Sequence, residues 1–252
     1  MLKKRIIPIQ LLKDGRLVKG KQFSHYRDVG DPITSSAVYN SQLADELIFL
    51  NTNSELGILP LLDIIDDVSK VVFMPLSFGG GIRSFQDAAQ LIEHGADKVI
   101  LNSICYESPE IIQEISNTYG NQAVIVCIDV RSVDGEYQLY SHNGSRYQAC
   151  SLQQHISRCA ALGAGEIMLQ SIDLDGSMLG FDSQLAIDAS QSSNMPIILA
   201  GGSGNYEHLK QAFLTAPISA IACGSLFNFS DSNPMRANAF LKNHGIALKL
   251  NK

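Results

Sequence analysis

An aspartate at the end of an apolar run is the residue of this chain best placed to do chemistry. Asp129 closes the run VIVCID, residues 124–129. Apolar surroundings raise the pKa of a carboxyl group because burial disfavours its charged form, and a raised pKa suits general acid–base catalysis near neutral pH. We therefore predict that Asp129 is catalytic. A structural carboxylate that bonds a neighbouring loop is the alternative.

Two glycine pairs predict anion-binding turns. Gly80-Gly81 and Gly201-Gly202 each follow an apolar run and precede a helical pattern. Main-chain N–H groups can approach an anion closely where side chains are missing, and a helix N-terminus adds a favourable field. Short residues end the next apolar run in each half and could complete the two cradles: Asn102, Ser103, Gly224 and Ser225. Two cradles indicate a substrate with an anionic group at each end, whereas glycines that only permit tight turns are the alternative.

A second carboxylate lies in the segment SIDLDG, residues 171–176. Asp175 could orient the hydroxyl groups of a substrate. The pair Asp175-Gly176 could equally be an ordinary Asp-Gly turn. Both interpretations stay open at this point.

Four charged residues begin four different apolar runs: Arg5, Glu46, Lys98 and Glu166. In a barrel of parallel strands, the strand starts converge at one end, so these charges are expected to meet there as a ring of pairs. Desolvation offsets much of the attraction in a buried ion pair, so stability alone is a weak reason for such a ring. A gate or selectivity constriction is the sharper hypothesis, and two unrelated surface salt bridges are the alternative.

The elements that must position these residues are strands alternating with helices. Eight short apolar runs recur along the chain: Arg5–Leu11, Glu46–Leu50, Val71–Leu76, Lys98–Leu101, Ala123–Asp129, Glu166–Gln170, Pro196–Ala200 and Ser219–Cys223. Such runs are typical of strands buried on both faces of a parallel sheet. The chain of 252 residues also has the length of a (β/α)8 TIM barrel, which needs about 250 residues. Asp14-Gly15 and Asp134-Gly135 predict hairpins inserted after strands one and five, over the C-terminal mouth.

The two halves of the chain resemble each other. Gly80-Gly81 aligns with Gly201-Gly202 at a shift of 201 − 80 = 121 residues. The opening run RIIPIQLL aligns with AVIVCIDV of the second half, and this alignment sets Leu11 opposite Asp129. Such duplication predicts one domain, residues 1–252, built from half-barrels of about residues 1–120 and 121–252.

Composition excludes several classes of protein. A net charge of −6 argues against nucleic acid or an anionic membrane as partner. Five cysteines without paired spacing indicate reduced thiols and a cytoplasmic protein. Six histidines show no metal-ligand spacing and no nucleotide-binding motif is present, so we predict neither a metal nor a cofactor. No apolar stretch is long enough to span a membrane.

Taken over the whole chain, these motifs resemble the cyclase subunit of imidazole glycerol phosphate synthase, the HisF family. The similarity runs from KRIIP and KDGRLVKG through ADELIF, GGGIRS and GAGEI to KNHGI. It implies a heterodimer with a separate HisH-like glutaminase below the barrel. Ammonia would then pass the charged gate and meet a phosphorylated or nucleotide-linked small molecule at the mouth. The resemblance places phosphate contacts at Gly81, Asn102, Gly202 and Ser225, a first-loop lysine at Lys19, and Asp97 on the partner-facing side.

The chain departs from this family at one of two implied catalytic aspartates. The aspartate after strand five matches Asp129, whereas the one after strand one falls on Leu11, and a further family aspartate falls on Asn51. Loss of a positioned acid or base costs about 10²–10⁴ in rate. The departure therefore argues against ordinary imidazole glycerol phosphate formation.

A branch of the family, the WbuZ/AglZ type, also lacks the first aspartate and resembles this chain over IIPIQLLK, VGDPI and DELIFL. It is associated with acetamidino modification of surface sugars. Our main hypothesis is thus an ammonia-dependent synthase that converts an acetamido sugar to an acetamidino sugar in lipopolysaccharide biosynthesis. The alternatives are a HisF cyclase of histidine biosynthesis and a non-catalytic scaffold for a glutaminase. The charged ring argues against a related phosphoribosyl isomerase, which uses no ammonia.

Overall fold

The computed structural model describes residues 3–249. The strands are β1 (Arg5–Lys13), β2 (Arg16–Lys21), β3 (Ser24–Gly30), β4 (Leu47–Asn51), β5 (Leu76–Gly79), β6 (Lys98–Leu101), β7 (Val124–Val133), β8 (Glu136–Ser141), β9 (Arg146–Gln148), β10 (Glu166–Ser171), β11 (Ile197–Ala200) and β12 (Ala220–Cys223). The helices are α1 (Pro32–Ser41), α2 (Leu59–Val71), α3 (Phe85–Glu93), α4 (Ile104–Glu107), α5 (Glu110–Tyr119), α6 (Leu152–Ala161), α7 (Ser183–Ser190), α8 (Tyr206–Thr215), α9 (Ser225–Asn228) and α10 (Pro234–Asn243).

Eight of these strands close into a ring. The parallel order β1-β4-β5-β6-β7-β10-β11-β12 returns to β1, where Arg5 pairs with Ala220 and Ile7 with Ala222. A helix follows each ring strand and covers the outside of the barrel. This architecture confirms the predicted (β/α)8 barrel.

Local sequence signals mark the starts of the helices. The Asp31 side chain accepts a hydrogen bond from the Thr34 N–H, and Pro32 occupies the first turn of α1. Ser84 starts α3 with a capping box that Asp87 completes. Such caps satisfy N–H groups that have no partner within the helix.

The third ring strand lies further along the chain than its predicted range of 71–76. Val71 ends α2 instead, and Phe73 is 90% exposed in the connection that follows. The strand β5 begins at Leu76, directly after Pro75, and Phe78 is fully buried. The apolar residues 71–74 therefore continue a helix into an exposed turn, which hydrophobicity alone does not distinguish from a short strand.

Both predicted hairpins are present over the mouth. β1 turns into antiparallel β2 at Asp14-Gly15, and β7 turns into β8 at Asp134-Gly135. All four turn residues have positive φ angles, the conformation that tight hairpin turns require and that Asp and Gly tolerate. Strands β3 and β9 extend the two hairpins.

The side chains inside the ring form layers because strand residues alternate between two faces. A separate inner apolar cluster fills the middle of the barrel: Ile7, Ile9, Ile48, Ile100, Ile125, Cys127, Met168, Ile198, Ala200, Ala220 and Ala222. Stepping two residues along β7 from Ile125 through Cys127 leads to Asp129 at the mouth. The same step along β1 from Ile7 through Ile9 leads to Leu11. The sheet geometry thus delivers Asp129 and Leu11 to the same pocket.

None of the helices between residues 3 and 249 has the length and apolar character of a membrane-crossing segment.

Candidate functional site

Asp129 is a buried carboxylate at the mouth. It pairs with Gln170 in register and is 5% exposed. The Asn102 Nδ2 donates to its Oδ2 at 2.8 Å, and the Cys127 thiol approaches its Oδ1 at 3.6 Å. Burial raises the pKa of Asp129 to about 7, although the bond from Asn102 acts in the opposite direction. A carboxyl group with this pKa can give or take a proton at neutral pH.

The pKa of Asp129 predicts a pH-dependent gain in stability for Asp129→Asn. Its pKa is about 7 in the folded protein against 3.8 for an unperturbed aspartate. Folding favours the neutral carboxyl, so its stabilising contribution is complete below pH 3.8 and is lost by the time the pH has risen through 7. Asparagine stays neutral, and the variant should be more stable at pH 8 by up to about 4 kcal/mol. Urea unfolding at pH 8 and pH 4 checks this, since an equal gain at both values contradicts it.

One wall of the mouth is apolar. Leu11 lines the pocket together with Leu50 and Ile9, and the rings of Phe23 and Tyr26 reach it from the first hairpin. Leu11 and Leu50 are register partners on neighbouring strands. The wall offers no carboxylate where the family resemblance implies one. Proton transfer by a carboxylate at this mouth therefore depends on residues on the opposite side.

A buried ion pair joins the first hairpin to the loop after β10. Lys19 Nζ lies 2.6 Å from Asp175 Oδ1, and the two side chains are only 4% and 10% exposed. Within the described chain, Asp175 Oδ2 is buried without a hydrogen-bond partner. Gly176 has a positive φ and packs against the Gly20 carbonyl, so the turn interpretation holds for the backbone there. The free oxygen keeps Asp175 available for a substrate hydroxyl.

The second predicted cradle opens into the mouth pocket. Gly201, Gly202, Gly224 and Ser225 all line it. Gly202 has a φ of +105°, and a Cβ there would overlap the carbonyl oxygen of Gly180. The Gly180 N–H donates a hydrogen bond to the Gly202 carbonyl oxygen at 2.8 Å. Among residues 3–249, the Ser225 hydroxyl is buried and unpartnered. Close backbone packing therefore requires glycine at position 202. The unpartnered Ser225 hydroxyl is compatible with an anion site, which stays a prediction.

The first predicted cradle forms a neighbouring pocket. Gly80, Gly81, Asn102 and Ser103 line it with Ile82, Arg83, Glu107 and His142. The Ser103 Oγ accepts the His142 N–H at 3.0 Å, which leaves its own hydrogen free to donate. Asn102 and Asp129 border both pockets. The two cradles are thus brought to either side of Asp129, as a substrate with two anionic ends requires.

The four predicted floor charges meet in a closed ring. Arg5 lies 2.6 Å from Glu46 Oε1 and 2.5 Å from Glu166 Oε2. Lys98 Nζ lies 3.1 Å from Glu46 Oε2 and 2.6 Å from Glu166 Oε1. All four side chains are at most 14% exposed. Each charge therefore touches two of the opposite sign, and the alternative of unrelated surface salt bridges does not describe this geometry.

Asp97 lies next to this ring, on the exposed rim of the same end. Its Oδ2 accepts the Leu76 N–H at 2.8 Å. The carboxylate thereby caps the start of β5. Contact with a partner protein remains a prediction for this residue.

Several residues of the site escaped sequence analysis. Tyr26 belongs to the first hairpin, and burial together with the charges of Asp175 and Asp129 raises the pKa of its phenol. Gln170 and Asn143 also line the mouth pocket. Alternate residues of β10 face the barrel interior, and this alternation could have identified Gln170 as a site residue. Tyr26 and Asn143 could be identified only from the three-dimensional fold of the two hairpins. Asn51 instead holds its own loop, donating to the carbonyls of Asn53 and Gly57.

Comparison with known proteins agrees with this architecture. Residues 5–232 match the family described as histidine biosynthesis protein. The imidazole glycerol phosphate synthase subunit HisF of Chloroherpeton thalassium is 39% identical over 251 residues, 99% of this chain and 100% of the relative. Subunit HisF of Staphylococcus carnosus is 38% identical over 99% of both chains, and that of Thermotoga sp. is 38% identical over 99% of both.

These matches confirm the resemblance to HisF, and their names favour the cyclase alternative over sugar amidination. Their coverage is end to end and their identity well above what a shared barrel alone produces. The chain belongs to the histidine biosynthesis protein family, among the HisF-type subunits.

Proposed function

We propose that this chain is the ammonia-dependent synthase subunit of a glutamine amidotransferase complex. A separate glutaminase, docked at the floor, supplies the ammonia. One observation carries the proposal: a closed ring of four charges at the floor and a carboxyl group with a pKa of about 7 at the mouth lie at opposite ends of one apolar interior. A protein that only folds as a barrel needs neither.

The first candidate for the reaction is formation of imidazole glycerol phosphate. It is supported by the names of the similar proteins, all of them imidazole glycerol phosphate synthase subunits. Two polar cradles on either side of Asp129 suit a substrate phosphorylated at both ends. Under this candidate, Asp129 performs the acid–base work without a second carboxylate at position 11.

The second candidate is amidination of an acetamido sugar, and Leu11 is the observation that favours it. Ammonia would replace the carbonyl oxygen of the acetamido group, which leaves as water, and Asp129 would protonate that oxygen. The apolar wall of Leu11, Leu50 and Ile9 suits the methyl group of an acetamido substituent. The cradles would hold the phosphate groups of a nucleotide-linked sugar.

Complementation separates the two candidates. In the first experiment, the gene is introduced into a histidine auxotroph that lacks the cyclase subunit. In the second, the gene is deleted from its own host, and the surface glycan of that strain is measured by mass spectrometry. Normal growth of the auxotroph supports the first candidate, while a missing amidino mass supports the second. If neither result is obtained and the chain still stimulates a purified glutaminase, the non-catalytic scaffold is supported.

Restoring a carboxylate at position 11 tests the first candidate directly. Leu11→Asp places an acid on the wall opposite Asp129, and we expect imidazole glycerol phosphate formation with ammonium chloride at pH 8.5 to rise about 10- to 100-fold, which reaches only the lower end of the usual contribution of a positioned acid or base. Leu50→Asp is the matched control because it adds the same charge to the neighbouring wall position. An unchanged or lower rate with Leu11→Asp shows that the mouth has diverged from cyclase chemistry.

A further inference from the structure

The two oxygens of Asp129 are held very differently. Oδ2 receives an N–H hydrogen bond from the Asn102 amide at 2.8 Å. Among residues 3–249, Oδ1 has only the Cys127 thiol at 3.6 Å, and a thiol is a weak donor. A hydrogen bond to an ionised oxygen is about twice as strong as one between neutral groups. The carboxyl group therefore has one anchored oxygen and one loosely held oxygen.

The orientation of Asn102 follows from this contact. Only the NH₂ end of its amide can face a carboxylate, because the carbonyl end would place two acceptors together. The Asn102 Oδ1 consequently points away from Asp129, and it is buried without a partner among residues 3–249. A carbonyl oxygen repels phosphate oxygens and attracts N–H or O–H donors. The outward end of this side chain is thus unsuited to a phosphate, and the phosphate contact that the resemblance implies for Asn102 falls to its main chain.

We propose that Asn102 is a positioning residue for Asp129: its amide anchors Oδ2 and so assigns Oδ1 as the oxygen that carries the transferred proton. The proposal rests on the acid–base role given to Asp129 under the proposed function. It follows from the contacts of the two oxygens and from the place of Asn102 between the two pockets.

Other ionisable groups surround Asp129. Tyr26 of β3, Tyr106 of α4 and Cys127 of β7 itself all interact with its charge, as does Asp175 after β10. Lys19 of β2 is paired with Asp175 and neutralises it locally. The Asn102 bond is the strongest contact that favours ionisation of Asp129, and burial opposes it. Its removal must therefore raise the pKa of Asp129 further.

Asn102→Leu tests the proposal, since leucine keeps the branched shape and removes the donor. Carbon-13 NMR of the aspartate-labelled protein, with the Asp129 signal assigned by Asp129→Asn, reports the titration midpoint without any substrate. We expect the midpoint to rise by about one pH unit, the size of effect that one hydrogen bond to a carboxylate produces. Asn143→Gly is the matched control because Asn143 borders both pockets but donates to the Thr52 carbonyl. It should leave the midpoint within about 0.2 unit.

Kinetics provide the second readout, in whichever assay the wild-type protein is active. For Asn102→Leu we expect kcat to fall about 10-fold or more, the alkaline limb of the pH profile to move up with the NMR midpoint, and KM to stay within about twofold.

Asn102→Asp replaces the leucine variant if that variant does not fold, because two adjacent carboxylates share one proton and raise the midpoint even more. An unchanged midpoint, or a raised KM with unchanged kcat, overturns the proposal. If Asp129→Asn itself keeps full activity, the proposed function fails instead, whatever the Asn102 variants show.

Discussion

Asp129→Asn is expected to lower ammonia-dependent turnover by about 10²–10⁴-fold, the usual contribution of a positioned general acid or base. Burial raises the pKa of Asp129 to about 7, and Leu11 leaves the opposite wall without a second carboxylate. Asparagine keeps the shape and can still accept the Asn102 hydrogen bond. The loss therefore reflects the missing proton and not a rearranged pocket.

The measurement is turnover of the purified chain with ammonium chloride, so that the glutaminase does not limit the rate. Asp134→Asn is the matched control, because Asp134 is an exposed residue of the β7–β8 turn and asparagine tolerates its positive φ. Undiminished turnover of Asp129→Asn would remove Asp129 from catalysis and support the scaffold hypothesis.

Arg5→Met is expected to destabilise the fold by about 3 kcal/mol, at the lower end of the range for breaking a buried ion pair. Arg5 faces Glu46 and Glu166 together, and its removal leaves the two carboxylates with Lys98 alone. All three remaining side chains are at most 14% exposed, so water compensates them poorly. Methionine retains an unbranched stem at this position without the charge.

Urea unfolding at pH 7 measures this loss. Arg16→Met is the control, since Arg16 also pairs with a carboxylate, that of Asp28, but both side chains are more than half exposed. Its effect should be far smaller, as is usual for surface pairs. A similar loss for both variants would mean that the floor ring is no more than a set of surface contacts.

Much of the architecture follows from sequence because it depends on period and position. The closed barrel, both hairpins and the meeting of Arg5 with Glu46 and Glu166 all follow from where apolar runs begin and end. The start of β5 could not be predicted from the sequence, because the apolar residues around Val71 end helix α2 and continue into the connection that follows it. Hydrophobicity marks burial, and it marks the type of element only where the run is long.

The finer geometry of the site could not be derived in the same way. The bond between Asn102 and Asp129 joins residues 27 apart and depends on side-chain rotamers. Tyr26 reaches the mouth only because β2 and β3 fold back over it. Leu11 shows the reverse case: its place at the mouth follows from the strand period, although its consequence for the reaction needs the experiments described above.

Ammonium and ammonia differ by one proton, and under the proposed function the apolar interior of the barrel favours passage of the neutral molecule. Ile48, Ile100 and Met168 offer a passing cation no oxygen atoms to replace its hydration shell, and the buried Ser77 hydroxyl beside Ile48 supplies at most one. Losing that shell costs several kcal/mol even after a protein relaxes around the ion. A neutral molecule avoids that cost. Under the proposed function, nitrogen therefore reaches Asp129 as the free base, already nucleophilic, with its extra proton left on the floor side. The same insulating layer separates Asp129 from the floor charges, so its protonation follows the acidity of the solvent above the mouth.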